Sequence, residues 1–210
     1  MVRLHSRVIA TLAAGAVSLV AFTTYVPAAD MNMKPADDMH MKSSADMNMD
    51  HTVMVGGAAM YPTKNIIENA MNSKDHTTLV AAVKAAGLVD TLQGTGPFTV
   101  FAPTNEAFGK LPTGTVDMLL KPENKAMLSK VLTYHVVPGR ITAADLMDWV
   151  KKGNGTAKLQ TVEGEWLWVT QSGDMLWVKD AKGATSKITI SNVMQSNGVI
   201  HVLDTVLMPS

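Results

Sequence analysis

The sequence predicts an α+β domain of about 150 residues, from 61 to 210, preceded by a tail of very different composition. Two observations predict this class. Apolar residues recur at helical spacing through residues 65–150, whereas residues 158–207 form short runs rich in β-branched and aromatic residues, separated by turns. Helices followed by a strand meander are typical of the α+β class, and this length suits one domain.

Two helices are predicted before the first strand. Asn65–Met71 forms a short helix, and Asp75 is positioned to cap a second helix that runs through Ala86 and stops at Gly87. Phe98–Phe101 is an early strand, and we expect its pairing partner to be distant in the sequence. The first half of the domain is therefore mainly helical.

Further helices are predicted between this strand and the meander. Pro122 occupies a first-turn position, and Thr142 with Asp145 resembles a capping box for a helix over Ala143–Val150. The helix after Pro122 is expected to bury one stripe of side chains. That stripe consists of Met127, Leu128, Val131 and Leu132.

Five strands are predicted in the second half. They are Lys158–Val162, Trp166–Gln171, Met175–Lys179, Lys187–Val193 and Val199–Leu207. Trp166 and Trp168 share one face of their strand, and Leu167 and Val169 share the other, because side chains alternate along a strand. Asn197-Gly198 is a strong hairpin signal before the last strand.

Two motifs lie between the helices and the strands. Ala102-Pro103-Thr104 is expected to end a strand, with Thr104 capping a short helix in which Ala107 and Phe108 turn inward. Tyr134 and His135 end a helix and start a strand. Each has a polar tip on a body that favours burial, so one interpretation is a hydrogen-bonded core pair.

Three longer stretches are similar to a known family. They are TVFAPTNEAFGKLP (Thr99–Pro112), VLTYHVVPGRI (Val131–Ile141) and SNGVIHVLDTVLMP (Ser196–Pro209). In order and spacing they resemble the signatures of the fasciclin domain, and the likeness covers residues 61–209. The resemblance implies a wedge-like β-sandwich of about seven strands with several helices packed over it.

The resemblance also implies a function. Fasciclin domains are secreted or surface-displayed modules for adhesion and protein–protein contact, and they are not enzymes. In animal relatives the Tyr-His region contributes to integrin binding, which makes Tyr134 and His135 candidate partner-binding residues. This chain lacks the Asp-Ile pair of the animal loop, so it lacks the carboxylate that an integrin-bound metal would need. We therefore expect a protein or cell-surface partner of another kind.

No motif in the sequence indicates catalysis. The chain contains no Gly-x-Ser-x-Gly elbow, phosphate-binding loop or His-Glu-x-x-His pair. Its 18 basic and 18 acidic residues balance, which does not resemble a basic nucleic-acid surface. We expect a non-enzymatic protein that does not bind nucleic acid.

Residues 1–28 have the three-part plan of a secretory signal peptide. Arg3 and Arg7 precede the apolar run Val8–Phe22, and small residues surround Pro27. The run is short for a membrane span, so a retained anchor is the weaker alternative. Cysteine is absent, which excludes disulfides and lipid attachment through cysteine. We expect an exported protein, periplasmic or extracellular, without a stable membrane span after cleavage.

Residues 29–60 are predicted to be a disordered tail. They contain eight of the 16 methionines, and before Val53 they have no Leu, Ile, Val or aromatic residue. Such a segment cannot bury enough apolar surface to offset the entropy of the chain. Val53–Met60, with its central Gly56-Gly57, is interpreted as the hinge into the domain.

The tail repeats Asp-Met-x-Met three times at a spacing of eight residues. Thioethers are soft ligands that suit Cu(I), and residues i and i+2 of an extended chain lie on one side, about 6.6 Å apart. The intervening histidines add imidazoles, which also accept Cu(II). The predicted ligands are Met31, Met33, Met39, His40, Met41, Met47, Met49 and His51. The protein would require no cofactor under this hypothesis. The tail would store copper, give the cell tolerance to copper or hand the metal over.

Two other interpretations of the tail stay open. The repeat is also what duplication of an octapeptide in a solvated spacer would leave. Methionine is reversibly oxidised, so the tail would equally serve as a sink for oxidants. In either case the protein would be a purely structural adhesion module.

Overall fold

The computed structural model describes residues 52–210. The predicted signal peptide and the eight predicted copper ligands lie outside the described residues. The described part begins with a β-hairpin of β1 (Val53–Val55) and β2 (Ala58–Met60). Val55 and Met60 are buried in the main core.

The hinge predicted over Val53–Met60 is therefore wrong. Gly56 and Gly57 have φ angles of 57° and 75°, and two consecutive positive values are what a type I′ hairpin turn between antiparallel strands requires. The turn also docks on the domain, because the Gly56 carbonyl accepts a hydrogen bond from Lys74 N at 3.2 Å. A Gly-Gly pair favours a hairpin as readily as a flexible joint, and the apolar residues on either side decide between the two.

The first helices follow the hairpin. Helix α1 (Ile66–Ala70) has a capping box between Asn65 and Glu68, and α2 (Thr77–Ala86) ends at Gly87 in the left-handed conformation, as predicted. The predicted cap at Asp75 is wrong, since this residue lies in the 3-10 turn Lys74–His76.

The start of α2 is capped from another part of the chain. Asn105 Oδ1 accepts hydrogen bonds from Thr78 N at 3.0 Å and from Thr77 Oγ1 at 3.2 Å. The Asn105 amide also donates to the Lys74 carbonyl at 2.8 Å. One side chain from 27 residues downstream of Thr78 thus replaces a local cap.

The remaining helices of the described residues divide between two core clusters. They are α3 (Val89–Gln93), α4 (Asn105–Gly109), α5 (Thr115–Leu119), α6 (Lys125–Tyr134) and α7 (Ala143–Lys152). Thr104 caps α4 and the Thr142–Asp145 capping box begins α7, both as predicted. Met127 departs from the predicted stripe of α6, because it is 56% exposed while the other three residues are buried.

Seven strands form one hydrogen-bonded series. They are β3 (Phe98–Pro103), β4 (Val136–Pro138), β5 (Thr156–Gln160), β6 (Trp166–Ser172), β7 (Met175–Lys179), β8 (Thr185–Gln195) and β9 (Gly198–Leu203). Their order in the sheet is β4-β3-β9-β8-β7-β6-β5. Helices α3 to α6 pack mainly with Val100 and Ala102 of β3, whereas α7 packs with Phe101 and with strands β5 and β6. The α+β class with helices packed on a sheet of about seven strands is confirmed. The last predicted strand is shorter than expected, since β9 ends at Leu203.

The early strand has the distant partner that was predicted. Strand β3 pairs in parallel with β9, from Phe98 opposite Gly198 to Pro103 opposite Leu203. The two backbones approach closely, because a Cβ on Gly198 would lie 2.0 Å from the Phe98 carbonyl oxygen. Glycine is therefore required at residue 198 by this contact.

Asn197 does more than form the turn before β9. Its side chain accepts a hydrogen bond from Ile66 N at 3.1 Å and donates to the carbonyls of Leu92 and Gly94 at 2.8 and 2.9 Å. It is buried. This one amide therefore joins α1, the end of α3 and the β8–β9 turn.

Candidate binding surfaces

Tyr134 is a completely buried residue at the end of α6. Its hydroxyl donates to the Trp166 carbonyl and accepts from Ala181 N, both at 2.9 Å. Burial raises the pKa of Tyr134 to about 12, and the hydrogen bond from Ala181 opposes this shift. The phenol is thus a neutral link between α6, the start of β6 and the β7–β8 turn.

His135 links α6 to the segment that follows β9. Its Nε2 accepts a hydrogen bond from Leu207 N at 3.0 Å, so the ring proton is on Nδ1, which donates to the Val131 carbonyl at 2.8 Å. Burial lowers the pKa of His135 to about 4, although the Val131 hydrogen bond opposes the shift. Both candidate partner-binding residues have bonding partners inside the domain, and a direct contact with another molecule stays a prediction.

The other two histidines that the structure describes, His76 and His201, are also buried. His201 donates from Nε2 to the Ile141 carbonyl at 2.9 Å and stacks on Phe101 with ring centroids 5.7 Å apart. His76 bonds Ser73 Oγ through Nδ1 at 2.9 Å, and its Nε2 has no hydrogen-bond partner within the described residues. Burial lowers the pKa of both imidazoles, and the nearby Ala102 backbone partly opposes the shift in His76.

His76 faces an apolar cavity beneath the hairpin. Val55 and Met60 line it from the hairpin, and Phe101 and His135 line it from the sheet side. The cavity has a volume of about 40 Å³. This volume accommodates one or two water molecules but is far below the several hundred Å³ of an ordinary cofactor site.

Within residues 52–210 there is no group of three or more His, Cys, Asp or Glu side chains that could hold a metal ion. No helix in that range is long and apolar enough to cross a membrane.

The outward side of strands β5–β8 carries three of the four tryptophans of the chain. Trp166 and Trp168 alternate with buried residues of β6, as predicted, and Trp177 alternates with buried residues of β7. We define the tryptophan–lysine face by its six principal residues. They are Lys158, Trp166, Trp168, Trp177, Lys179 and Lys187.

Strand register interleaves the two residue types on this face. Trp168 lies opposite Lys158 on one side and Lys179 on the other, and Trp177 lies opposite Lys187. Lys158 Nζ is 4.2 Å from the ring centroid of Trp166 and 6.0 Å from that of Trp168, which places a cation over the aromatic faces.

The strands of the face carry one sign of charge, and two carboxylates lie near Lys187: Asp174 of the β6–β7 turn lines a pocket with it, and Asp204 accepts a hydrogen bond from its backbone N–H. Strands β5–β8 contain no Asp or Glu. In the adjoining β5–β6 turn, Glu163 and Glu165 pair with Lys130 at 3.8 and 3.1 Å, and Asp180 beyond β7 is buried, where it accepts hydrogen bonds from Ala184 N and Met208 N. The lysines of the face therefore have no carboxylate neighbour on their own strands.

Sequence reasoning found the alternation in β6 but not this face. The signal was the sequence Trp-Leu-Trp-Val, and it placed Trp166 and Trp168 together. It did not show which residues lie opposite them, because the register of Lys158 and Lys179 depends on the lengths of two turns. Trp177 joins the face through the same register.

The fasciclin domain family matches residues 74–209 of the chain. The chain belongs to the fasciclin-domain family. This confirms the resemblance of the three stretches around Phe101, Tyr134 and His201. The fasciclin match begins after the β1–β2 hairpin, which therefore lies outside the matched residues.

Relatives of this fasciclin protein occur in bacteria. It is 46% identical over 162 residues to protein sll1483 of Synechocystis sp., covering 76% of this chain and 82% of that protein. It is 39% identical over 145 residues to immunogenic protein MPB70 of Mycobacterium bovis, covering 67% of this chain and 66% of the relative. It is 38% identical over 160 residues to cell surface glycolipoprotein MPB83 of the same species, covering 74% and 64%.

A solved fasciclin structure has the same fold. The FAS1 domain pair from the insect cell adhesion molecule fasciclin I matches with a TM-score of 0.62 at 18% identity. The match covers 70% of this chain and 52% of the insect chain. Fasciclin relatives thus include an adhesion molecule and a protein of the cell surface.

Proposed function

We propose that the protein is an exported adhesion module that contacts a protein or cell-surface partner and catalyses no reaction. Its relatives support this, since one is a cell surface glycolipoprotein and another belongs to a cell adhesion molecule. Export rests on the signal-like sequence of residues 1–28. The compartment is periplasmic or extracellular.

The observation that carries the proposal is that the tyrosine and histidine side chains bond within the domain, whereas a set of aromatic and charged side chains is exposed on its surface. Tyr134, His135 and His201 bond to backbone groups within the domain. The tryptophan–lysine face is instead open to solvent, and Trp166 is 38% exposed. Exposed aromatic side chains are typical of surfaces that bind a partner.

Attachment of cells to the purified protein tests this function. Beads coated with the folded protein should retain more cells of the source organism than beads coated with heat-unfolded protein. Cells that lack the protein should also aggregate less, and adding the purified protein should restore aggregation. Equal retention by folded and unfolded protein would contradict the proposal.

We also propose that the tail binds Cu(I), for storage, tolerance or handover. The observation that favours this second function is the eight-residue repeat of methionine pairs with intervening histidines. Thioether and imidazole together suit copper, and an absence of cysteine leaves no thiolate to compete. A flexible spacer and an oxidant sink are the alternatives.

A competition titration separates these alternatives. The full-length protein and a chain that begins at Thr52 should be titrated with Cu(I) against a chromophoric chelator. Only the full-length protein should take up the metal. Equal uptake by the two chains would reject copper binding by the tail and leave the spacer or the oxidant sink.

A further inference from the structure

We propose that the tryptophan–lysine face binds an acidic polysaccharide, a chain of sugar rings of which some carry a carboxylate. This names the partner class of the adhesion module, and in that respect it rests on the proposed function. Flat apolar rings and cations alternate on the face. An acidic polysaccharide presents their complements, because a sugar ring has an apolar C–H face and its carboxylates are spaced along the chain.

The aromatic part of the face is suited to stacking. Trp166, Trp168 and Trp177 stand on the outward side of an antiparallel sheet, which is ordinarily polar. The negative face of an indole attracts the positively polarised C–H groups of a sugar ring that lies flat on it. Trp168 also lines an open groove of about 480 Å³ with the hydroxyl-bearing side chains of Thr156 and Thr170 and with two lysines, Lys179 and Lys182. The one carboxylate that lines this groove, Asp180, accepts hydrogen bonds from two backbone N–H groups.

The cations are placed beside these rings. Lys158 Nζ lies 4.2 Å from the Trp166 ring centroid, and its side chain is exposed. Lys158 and Lys179 lie two strands apart with Trp168 between them, so their Cα atoms are separated by about 10 Å. A sugar stacked on Trp168 therefore has an ammonium group on each side to pair with a carboxylate.

Charge selects among possible polymers. Strands β5–β8 have three lysines and no acidic residue, so an anionic chain is favoured over a neutral one. Single-stranded nucleic acid is less well matched, because its binders combine stacking platforms with an extended basic groove, and the charges of this chain balance overall.

Binding of the full-length protein to polygalacturonate tests the proposal. Calorimetric titration at low salt should show binding that weakens as salt is added, with no binding to the neutral polymer dextran. Trp168→Ala should weaken binding about tenfold or more, since a buried aromatic anchor dominates such contacts. Trp149→Ala is the matched control, because Trp149 is an equally large exposed residue on α7 and should leave binding unchanged.

The charges are tested in the same way. The triple variant Lys158→Gln, Lys179→Gln, Lys187→Gln should weaken binding about tenfold and remove most of its salt dependence. A control variant with three substitutions at exposed lysines outside the tryptophan–lysine face should bind polygalacturonate as the parent does. It comprises Lys84→Gln, Lys121→Gln and Lys151→Gln. These outward substitutions also serve if Trp168→Ala does not fold.

Three results would overturn the inference. They are absence of polygalacturonate binding by the parent, equal binding of dextran, and equal effects of the Trp168 and Trp149 substitutions. Tighter binding of oligo-dT than of polygalacturonate would assign the face to nucleic acid instead. Cell retention on coated beads distinguishes this failure from failure of the adhesion function. If beads coated with the Trp168→Ala variant still retain cells, the adhesion function stands and only the polysaccharide partner is rejected.

Discussion

The Nε2 atom of His135 accepts a hydrogen bond from Leu207 N at 3.0 Å, across 72 residues of the chain. The acceptor must be neutral, since a protonated imidazole has donors at both nitrogens. Nδ1 already donates to the Val131 carbonyl. The segment that follows β9 is therefore held in place by an uncharged histidine.

The protein should lose stability as the pH falls from about 6.5 to about 4. The unfolded chain binds a proton at this residue near its ordinary pKa of 6.5, whereas burial lowers the pKa of His135 to about 4 in the folded chain. The unfolded state therefore binds more protons in this window, and stability, complete above it, falls by about 3 kcal/mol at most. Urea unfolding at several pH values measures the effect.

The control for this prediction is a residue that cannot titrate. His135→Gln should lower stability at neutral pH but flatten the dependence on pH between these limits. An unchanged slope in the variant would assign the acid sensitivity to the other buried imidazoles, His76 and His201, whose pKa values are lowered in the same direction by burial.

Tyr134→Phe should destabilise the domain by about 1–3 kcal/mol, because Ala181 N and the Trp166 carbonyl each lose a buried partner. Chemical denaturation measures the change. Tyr61→Phe is the control, since Tyr61 is half-buried and should tolerate loss of its hydroxyl. Cell retention, measured well below the melting temperature, should be unchanged in both. Lost retention with unchanged stability would make the Tyr-His region a contact surface.

Removal of the hairpin should destabilise the domain. A chain that begins at Tyr61 lacks the buried Val55 and Met60, and exposing the surface that they cover costs about 3 kcal/mol or more relative to a chain that begins at Thr52. Thermal melts of the two chains measure the loss. Met60→Ala should reproduce about 2 kcal/mol or more of it, whereas Met54→Ala, at a residue that is 60% exposed, should change little. Equal melting temperatures of the two chains would mean that the hairpin belongs to the tail and does not stabilise the domain.

Replacing the six paired methionines of the tail by leucine should abolish Cu(I) uptake. Leucine keeps the size and apolarity of methionine but removes the sulfur. The substituted residues are Met31, Met33, Met39, Met41, Met47 and Met49. Cu(II) bound through His40 and His51 should survive in part, and replacing these two histidines should give the opposite ranking. Equal Cu(I) uptake by the parent and the six-leucine variant would leave the tail as a spacer or an oxidant sink.

The caps show what a sequence predicts and what it does not. Thr104 and the Thr142–Asp145 pair were found because each cap lies within three residues of the group that it satisfies. The cap of α2 was assigned to Asp75 by the same rule, but Asn105 satisfies it across 27 residues. A rule based on near neighbours cannot find a partner that only the tertiary fold brings close.

The tryptophan–lysine face has the same limit. The alternation of Trp166 and Trp168 with buried residues follows from the period of a strand, so it was predicted. The contact of Lys158 with their rings requires the register between two strands, which a shift of one residue would reverse. The strand period placed Trp166 and Trp168 on one face, whereas strand pairing decided which residues of the other strands lie beside them.

The position of β9 in the sheet determines the order of assembly. Strand β3 has β9 as its parallel neighbour, and the paired residues Phe98 and Gly198 are 100 residues apart in the chain. Contacts of such long range slow folding, because a large loop must close before they form. While the chain is being synthesised, the edge of β3 that pairs with β9 stays unpaired until Leu203 has emerged, so this edge is open to chaperones during most of the synthesis. A polypeptide that stays open for so long is also suited to crossing a membrane through a narrow translocation channel before it folds.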